Sequence, residues 1–193
     1  MALPSRKEDE KHTYTDLLHW PSDKRWELIN GIAYDMSPAP TRRHQAIAWN
    51  LALQFGNFLK GKSCKAFFAP FDVRLPATSE NGMSATTVLQ PDLIIVCDVE
   101  KLDARGCVGS PTLVLEILSP ETKKQDLGIK FHAYEQAGVP EYWVIWPADN
   151  TLQVYVLDAQ RHYTMDAVYN GDETAPVGVL PGLSIDLAEV FAE

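Results

Sequence analysis

The feature that most constrains the fold of this 193-residue chain is an acidic residue inside an apolar run. Residues 113–118 read LVLEIL, so Glu116 is the one charged residue among aliphatic ones. A continuous apolar run of this length is typical of a strand that is covered on both faces. An ionised carboxylate there costs on the order of several kcal/mol unless it is paired or holds a metal ion. We therefore predict a buried strand whose acid has a partner.

A second apolar strand opens with an acid, because residues 91–96 read PDLIIV. Side chains alternate along a strand, so Asp92 shares a face with Ile94, and Glu116 shares a face with Val114. If the two strands pair, the two carboxylates converge on one point. Two carboxylates and a backbone carbonyl suit Mg²⁺, which takes oxygen ligands and keeps several waters and substrate oxygens. We predict that Asp92 and Glu116 hold Mg²⁺, or Mn²⁺ in its place.

A lysine on the next predicted helix, residues 119–137, completes this constellation. At about 100° per residue, Lys130 lies in one stripe with Leu127 and Tyr134. A lysine in an apolar stripe can bury its stem and direct its ammonium toward an anion. Beside a metal, it would orient the attacking water or neutralise the phosphoryl oxygens. Asp126 lies one turn earlier and is expected to form a weak surface pair with Lys130.

The order of the predicted elements indicates an α/β fold. A short helix after Thr13 and a hairpin at Asn30-Gly31 precede a long helix that begins at Thr41. The further predicted strands are 64–69, 71–75, 92–97, 112–118 and 141–146, then a meander of 152–157 and 161–168, and a last helix at 187–191. Residues 76–90, 102–111 and 171–176 are predicted loops. We expect a single domain over residues 13–193, with helices on both faces of a mixed sheet, after a flexible tail at residues 1–12.

Composition and charge narrow the functional classes. No apolar run approaches the ~20 residues that a membrane span needs, and the polar start of the chain is not a secretory signal. Three cysteines without zinc-site spacing predict reduced thiols and a cytoplasmic protein. The net charge of −9 argues against non-specific nucleic-acid binding, although basic residues cluster locally, as at Arg42-Arg43.

Taken together, these motifs resemble those of the Uma family, restriction-endonuclease-like proteins of the PD-(D/E)xK nuclease superfamily. The resemblance covers roughly residues 14–160. It rests on WELING at 26–31, His44-Gln45, PDLIIV at 91–96, LEILSPET at 115–122, Asp126, Lys130 and YEQAGVPEYWVIW at 134–146. It implies a core of helix, strands, helix and strand, with the N-terminal helix and hairpin and the C-terminal antiparallel meander added to it.

The resemblance also implies a function, namely Mg²⁺-dependent endonucleolytic hydrolysis of DNA phosphodiester bonds. Asp92 and Glu116 would be the metal-binding acids and Glu27 a further acid of the site. The lysine that the superfamily places two residues after the glutamate is replaced by Leu118, and the family places it on the next helix, which here means Lys130. DNA is a more fitting substrate than RNA, no membrane is involved, and a homodimer is the assembly that many such nucleases adopt.

Three further residues are candidates for binding the substrate: His44, Arg42 and Tyr134. Each site residue also has a simpler interpretation. Asp92 would cap a turn, Glu116 would form a salt bridge with Lys130, and Glu27 would be exposed on the hairpin. Lys130 and Arg42 would be solvated helix charges, His44 would be a core or capping histidine, and Tyr134 would be a core or interface aromatic.

Two other functions remain open for the whole chain. The first is a catalytically inactive nuclease-like module for binding or interaction, which the acidic charge and Leu118 favour. The second is a metal hydrolase of small phosphate esters.

Overall fold

The structure is a computed structural model that describes residues 11–21, 23–36, 39–75, 82–120 and 123–192. The helices are α1 (Tyr14–Leu17), α2 (Arg42–Leu59), α3 (Lys123–Gln125), α4 (Phe131–Ala137) and α5 (Leu187–Phe191), with a π-helical turn (Asp126–Lys130) joining α3 to α4. The strands are β1 (Trp26–Ile29), β2 (Ile32–Asp35), β3 (Lys65–Phe68), β4 (Asp72–Leu75), β5 (Thr87–Leu89), β6 (Leu93–Val96), β7 (Leu102–Asp103), β8 (Gly106–Val108), β9 (Leu113–Ile117), β10 (Glu141–Trp146), β11 (Thr151–Leu157), β12 (Tyr163–Asn170), β13 (Thr174–Pro176) and β14 (Ser184–Asp186).

Most strands belong to two six-stranded sheets in the part of the chain that the structure describes. The central sheet has the order β12-β11-β10-β9-β6-β3, and the hairpin sheet has the order β2-β1-β5-β4-β8-β7. In the central sheet β9 and β10 are parallel, because a helical crossover joins them, whereas β6 and β9 are antiparallel. The central sheet is therefore mixed, as predicted.

Helices cover both faces of the central sheet, which confirms the predicted α/β class. On one face, Leu51 and Phe55 of α2 pack with Leu115 and Trp143. On the other face, Tyr134 of α4 packs with Val114 of β9 and with residues of the hairpin sheet. Because β9 and β10 are covered on both sides, their sequences are almost continuously apolar.

Local sequence signals fix several of the turns. Thr13 caps α1 in a capping box with Asp16. Asn30 and Gly31 have positive φ angles of 53° and 84°, which the tight β1–β2 hairpin requires, and the predicted hairpin is confirmed. The predicted meander of β11 and β12 is confirmed as well.

Three predicted loops contain short strands, and in this respect the prediction was wrong. Strand β5 lies within residues 76–90, β7 and β8 lie within 102–111, and β13 lies within 171–176. Strands of two or three residues are too short to show an alternating pattern, and each is stabilised by pairing with another strand. Residues 76–81 of the first loop lie outside the described residues.

The predicted helix at 119–137 is interrupted. Among the described residues, regular helix is present from Lys123, and residues 126–130 form the wider π-helical turn before α4. Gly128 lies inside this turn, and glycine favours a regular helix less than most residues do. Residues 121 and 122 lie outside the described residues.

The cysteines differ from the expectation of three reduced thiols. Cys64 and Cys97 form a disulfide, while Cys107 is free and buried. The reason lies in the sheet: β3 and β6 pair antiparallel with Lys65 opposite Val96, so the next residues outward also face each other. Burial raises the pKa of the Cys107 thiol to about 11, which keeps it protonated.

Two further predictions concern the chain as a whole. None of the helices in the described ranges combines the length and hydrophobicity that crossing a membrane requires. Residues 1–10 of the predicted flexible tail lie outside the described residues, while the backbone N–H of His12 donates to the carbonyl of Gly31. The division into a tail and a single domain stays a prediction.

Candidate active site

The pairing of β6 with β9 brings two acids together. Leu93 lies opposite Leu115 in this antiparallel ladder, so Asp92 and Glu116 occupy the next opposed positions. The backbone N–H of Asp92 donates to Oε2 of Glu116 at 3.4 Å, and that of Ile117 donates to Oδ2 of Asp92 at 2.7 Å. The predicted pairing of the two strands is confirmed, and the two carboxylates are neighbours where β6 begins.

Lys130 lies beneath these acids and contacts three carboxylates. Its Nζ is 2.9 Å from Oε1 of Glu27 and 3.3 Å from both Oε1 of Glu116 and Oδ1 of Asp126. Only 4% of Lys130 is exposed, so its ammonium does not point into bulk water. The Glu116–Lys130 salt bridge of the simpler interpretation is therefore present, and it is one contact of a larger network.

Asp126 is a further member of this network, and its burial was not predicted. We predicted a weak surface pair with Lys130, but Asp126 is only 2% exposed. The two residues begin and end the π-helical turn, which directs both side chains toward the sheet. The hydroxyl of Tyr142 donates to the backbone carbonyl of Asp126 at 3.1 Å and anchors the turn. The shared stripe of Asp126 and Lys130 indicated that the two side chains lie together but not that they are buried.

Glu27 reaches the site from β1 of the hairpin sheet. It is 2% exposed, so the simpler interpretation of an exposed hairpin position is wrong. Besides Lys130, its carboxylate accepts the backbone N–H of Gln90 at 2.8 Å and the side-chain amide of Gln125 at 3.3 Å. Neither glutamine was predicted as a site residue, because an isolated amide side chain carries no periodic signal.

His44 contacts Asp92 from the first turn of α2. Thr41 caps this helix and accepts the backbone N–H of His44 at 3.2 Å. Nε2 of His44 is 3.2 Å from Oδ2 of Asp92, and the His44 side chain is 15% exposed. Burial lowers the pKa of His44, but its hydrogen bond to Asp92 and the charges of Asp92 and Asp126 outweigh that effect and raise the pKa.

The other two residues predicted to bind substrate differ in their exposure. Arg42 is exposed in the first turn of α2, two residues before His44. Tyr134 is 0% exposed, and its hydroxyl donates to Oε1 of Glu116 at 2.9 Å. This buried location differs from the substrate contact that we predicted for Tyr134. The neighbouring Arg43 donates to the backbone carbonyl of Phe191 and so faces the C-terminal helix.

The electrostatics of the site follow from burial and from an excess of carboxylates. Burial raises the pKa of Glu116; the Lys130 ammonium opposes this, whereas the charges of Asp126, Asp92 and Glu27 add to it, and the pKa is raised overall. Burial alone would lower the pKa of Lys130, but its three carboxylate neighbours outweigh burial and raise it. Lys130 therefore stays protonated, and Glu116 retains a strong tendency to bind a proton or another cation.

The free oxygens of the two opposed acids fit a hard divalent cation. Oδ2 of Asp92 and Oε1 of Glu116 each accept two donors, whereas Oδ1 of Asp92 has no donor within the described part of the chain. Oε2 of Glu116 has only the 3.4 Å contact with the backbone of Asp92. The described residues include no group of three or more His, Cys, Asp and Glu side chains arranged to hold a metal. Mg²⁺ needs fewer, because it is usually held by one or two carboxylates with waters and substrate oxygens.

Comparison with known proteins extends these observations. Residues 14–188 match the model of the Uma2 family, described as "Putative restriction endonuclease". The "Uncharacterized protein slr1290" of Synechocystis sp. is 24% identical over 160 residues, which are 82% of this chain and 74% of that protein. A crystal structure described as that of a putative nuclease belonging to DUF820, from Anabaena variabilis, has a TM-score of 0.71 at 20% identity and covers 93% of this chain and 97% of that one. This similarity confirms the predicted restriction-endonuclease-like fold.

Proposed function

Because this chain belongs to the Uma2 family, whose model spans residues 14–188, we propose that it is a Mg²⁺-dependent endonuclease that hydrolyses DNA phosphodiester bonds. The observation that carries the proposal is the pair of opposed carboxylates, Asp92 and Glu116, beside the buried ammonium of Lys130. A hydrogen-bond network that only stabilises the fold does not need two neighbouring acids that each keep one oxygen without a close hydrogen-bond donor. A divalent cation explains that arrangement, and Mn²⁺ would serve in place of Mg²⁺.

In this proposal Asp92 and Glu116 would hold the metal, and Lys130, which also contacts Glu27 and Asp126, would lie beside Glu116. When bound, the cation supplies positive charge that stabilises the developing charge on the phosphoryl group and favours ionised water. Lys130 fixes Glu116 through its 3.3 Å contact and adds a positive charge beneath the reacting group. The side chain of Asp92 is 20% exposed, so solvent and substrate reach the site from its side.

Because the chain is acidic overall, we assign substrate binding to local basic residues. Arg42 is exposed in the first turn of α2, and we assign a phosphate contact to it. Few such contacts predict a shallow dependence of DNA affinity on salt concentration. DNA rather than RNA as substrate, and a homodimer as the assembly, stay predictions.

One observation favours the inactive alternative. Lys130 already compensates Glu116, Glu27 and Asp126, so the acids are stable without a metal ion. In that case the chain would be a nuclease-like binding module. Binding of a divalent cation separates the two alternatives.

The experiment is calorimetric titration of the purified protein with Mg²⁺ and Mn²⁺, followed by cleavage assays on supercoiled plasmid DNA. Binding by the wild type that Glu116→Gln abolishes would support the proposal, and Glu189→Gln, the same change at an exposed site on α5, serves as the control. Absence of binding in the wild type would favour the inactive module. Hydrolysis of a generic phosphodiester with intact plasmid would favour a hydrolase of small phosphate esters.

A further inference from the structure

We infer that His44 is a positioning residue, which holds the carboxylate of Asp92 by donating Nε2–H to Oδ2 and leaves Oδ1 for the cation. This inference rests on the proposed function and deepens it, because it assigns the role of a residue that does not itself bind the metal. It also replaces the substrate contact that we predicted for His44.

The two carboxylate oxygens of Asp92 differ in their hydrogen bonding. Oδ2 lies 2.7 Å from the backbone N–H of Ile117 and 3.2 Å from Nε2 of His44. A carboxylate oxygen has about two lone-pair sites, so these two donors saturate Oδ2. Oδ1 has no donor among the residues that the structure describes. Asp92 is therefore held as a ligand that offers a single oxygen.

The contacts of the His44 imidazole determine which ring nitrogen carries the proton. An ionised carboxylate only accepts hydrogen bonds, so the His44 ring must carry its proton on Nε2 to face Asp92 at 3.2 Å. Nδ1 of His44 is buried and has no hydrogen-bond partner within the described ranges. A buried N–H without an acceptor is costly, which further favours the tautomer protonated at Nε2. With one nitrogen on Asp92 and the other buried, neither ring nitrogen faces a substrate.

His44 is held firmly by its helix. The backbone of His44 is bonded to the Thr41 cap, and the next turns of α2 bury Ile47 and Leu51 completely. The His44 side chain is itself 15% exposed, so little rotational freedom remains to be lost. A donor held on a rigid helix is the arrangement that orients a metal-binding carboxylate from its outer side.

The two carboxylate oxygens of Glu116, on the opposite strand, differ in the same way. Its Oε1 accepts the Lys130 ammonium at 3.3 Å and the Tyr134 hydroxyl at 2.9 Å, while its Oε2 keeps only a 3.4 Å backbone contact. In each acid, hydrogen-bond donors therefore saturate one carboxylate oxygen and leave the other available to a cation. This parallel supports a positioning role for the donor to Asp92, as for the donors to Glu116.

The test is calorimetric titration of the full chain with Mn²⁺ alone, comparing wild type, His44→Asn, His44→Gln and His44→Ala. Gln carries its amide N–H at the reach of Nε2, whereas the shorter Asn does not. We expect His44→Asn and His44→Ala to weaken Mn²⁺ binding about 10–100-fold, the usual effect of losing an outer donor, and His44→Gln to restore most of the affinity. His132→Asn, at a histidine whose side chain is 66% exposed on α4, is the matched control and should bind like wild type.

Several outcomes would overturn the inference. Wild-type Mn²⁺ affinity in His44→Asn, with binding still abolished in Glu116→Gln, would refute the role of His44 and leave the proposed function standing. Equal losses in His44→Gln and His44→Asn, with both variants shown to be folded by circular dichroism, would refute the donor role. Weaker DNA binding by His44→Asn in EDTA, with unchanged Mn²⁺ affinity, would identify a substrate contact instead. Absence of Mn²⁺ binding in the wild type would overturn both proposals.

Discussion

Replacing Lys130 by methionine removes the one ammonium that the structure places among three buried carboxylates. The three contacts are 2.9, 3.3 and 3.3 Å long, and at an effective dielectric constant of about 20 each is worth about 5 kcal/mol of attraction. Burying an ammonium costs several kcal/mol, which offsets much of that gain. Breaking such a network by removing one partner costs about 3–5 kcal/mol, because the remaining charges stay buried and uncompensated. We expect the free energy of unfolding to fall by that amount near neutral pH.

The loss should depend on pH with a definite sign. The pKa of Glu116 is already raised by burial and by its acidic neighbours, and Lys130 is the group that lowers it. Without Lys130 that pKa rises further above its value in the unfolded chain. A carboxyl whose pKa is raised in the folded state favours folding most when it is protonated. Its contribution to the free energy of unfolding is therefore present at low pH and is lost as the pH rises through the folded-state pKa. The deficit of Lys130→Met relative to wild type should therefore be smallest in acid and grow toward neutral pH.

The assay is urea unfolding without metal at several pH values, followed by the fluorescence of the five tryptophans, of which Trp143 is fully buried. Lys124→Met is the control, because Lys124 is exposed on α3 and its loss should change stability by no more than about 0.5 kcal/mol. Equal stability of Lys130→Met and wild type at neutral pH would refute the reasoning. A deficit that does not change with pH would refute the electrostatic explanation while leaving a packing effect.

Three further predictions concern single interactions. Tyr134→Phe removes the hydroxyl that donates to Glu116 at 2.9 Å. Because hydrogen bonds to charged groups contribute about 1.5–3 kcal/mol, we expect the free energy of unfolding in urea titrations to fall by that amount. A loss near zero would contradict this hydrogen bond. Glu141→Gln places an amide N–H₂ against donors that its buried carboxylate now accepts, so we expect a loss of about 1.5–3 kcal/mol, and unchanged stability would contradict this account. Reducing the Cys64–Cys97 disulfide opens a link across 33 residues and should cost about 2–4 kcal/mol by calorimetry with thiol counting; an unaltered unfolding temperature after verified reduction would argue against the disulfide.

The parts of the site that could be predicted from sequence are those with a local signal. Asp92 and Glu116 stood out because an acid in an apolar strand requires a partner, and the period of two placed both on the shared face. Lys130 stood out because it lies beside Leu127 and Tyr134 in its helix stripe. These expectations used only neighbouring residues, and the structure brings Glu116 and Lys130 within 3.3 Å.

What could not be predicted depends on tertiary packing. Glu27 was expected in the site only from the family resemblance, because its location depends on the packing of the hairpin sheet against the central sheet, which no periodicity in β1 reveals. Asp126 was assigned to the surface because an (i, i+4) pair looks the same on a buried and on an exposed helix face. The disulfide depends on the register of β3 with β6, which cysteine spacing does not encode. Tyr134 was expected to contact the substrate, and its position in the helix stripe does not show that its hydroxyl is buried against Glu116.

The central claim is that a divalent cation binds between Asp92 and Glu116. The most direct measurement is a crystal structure of the protein soaked in Mn²⁺, with anomalous diffraction used to locate the metal. The account predicts one strong anomalous peak in contact with the carboxylates of both residues, which Glu116→Gln removes. An anomalous map without a peak there, or a peak bound elsewhere and unaffected by Glu116→Gln, would contradict it.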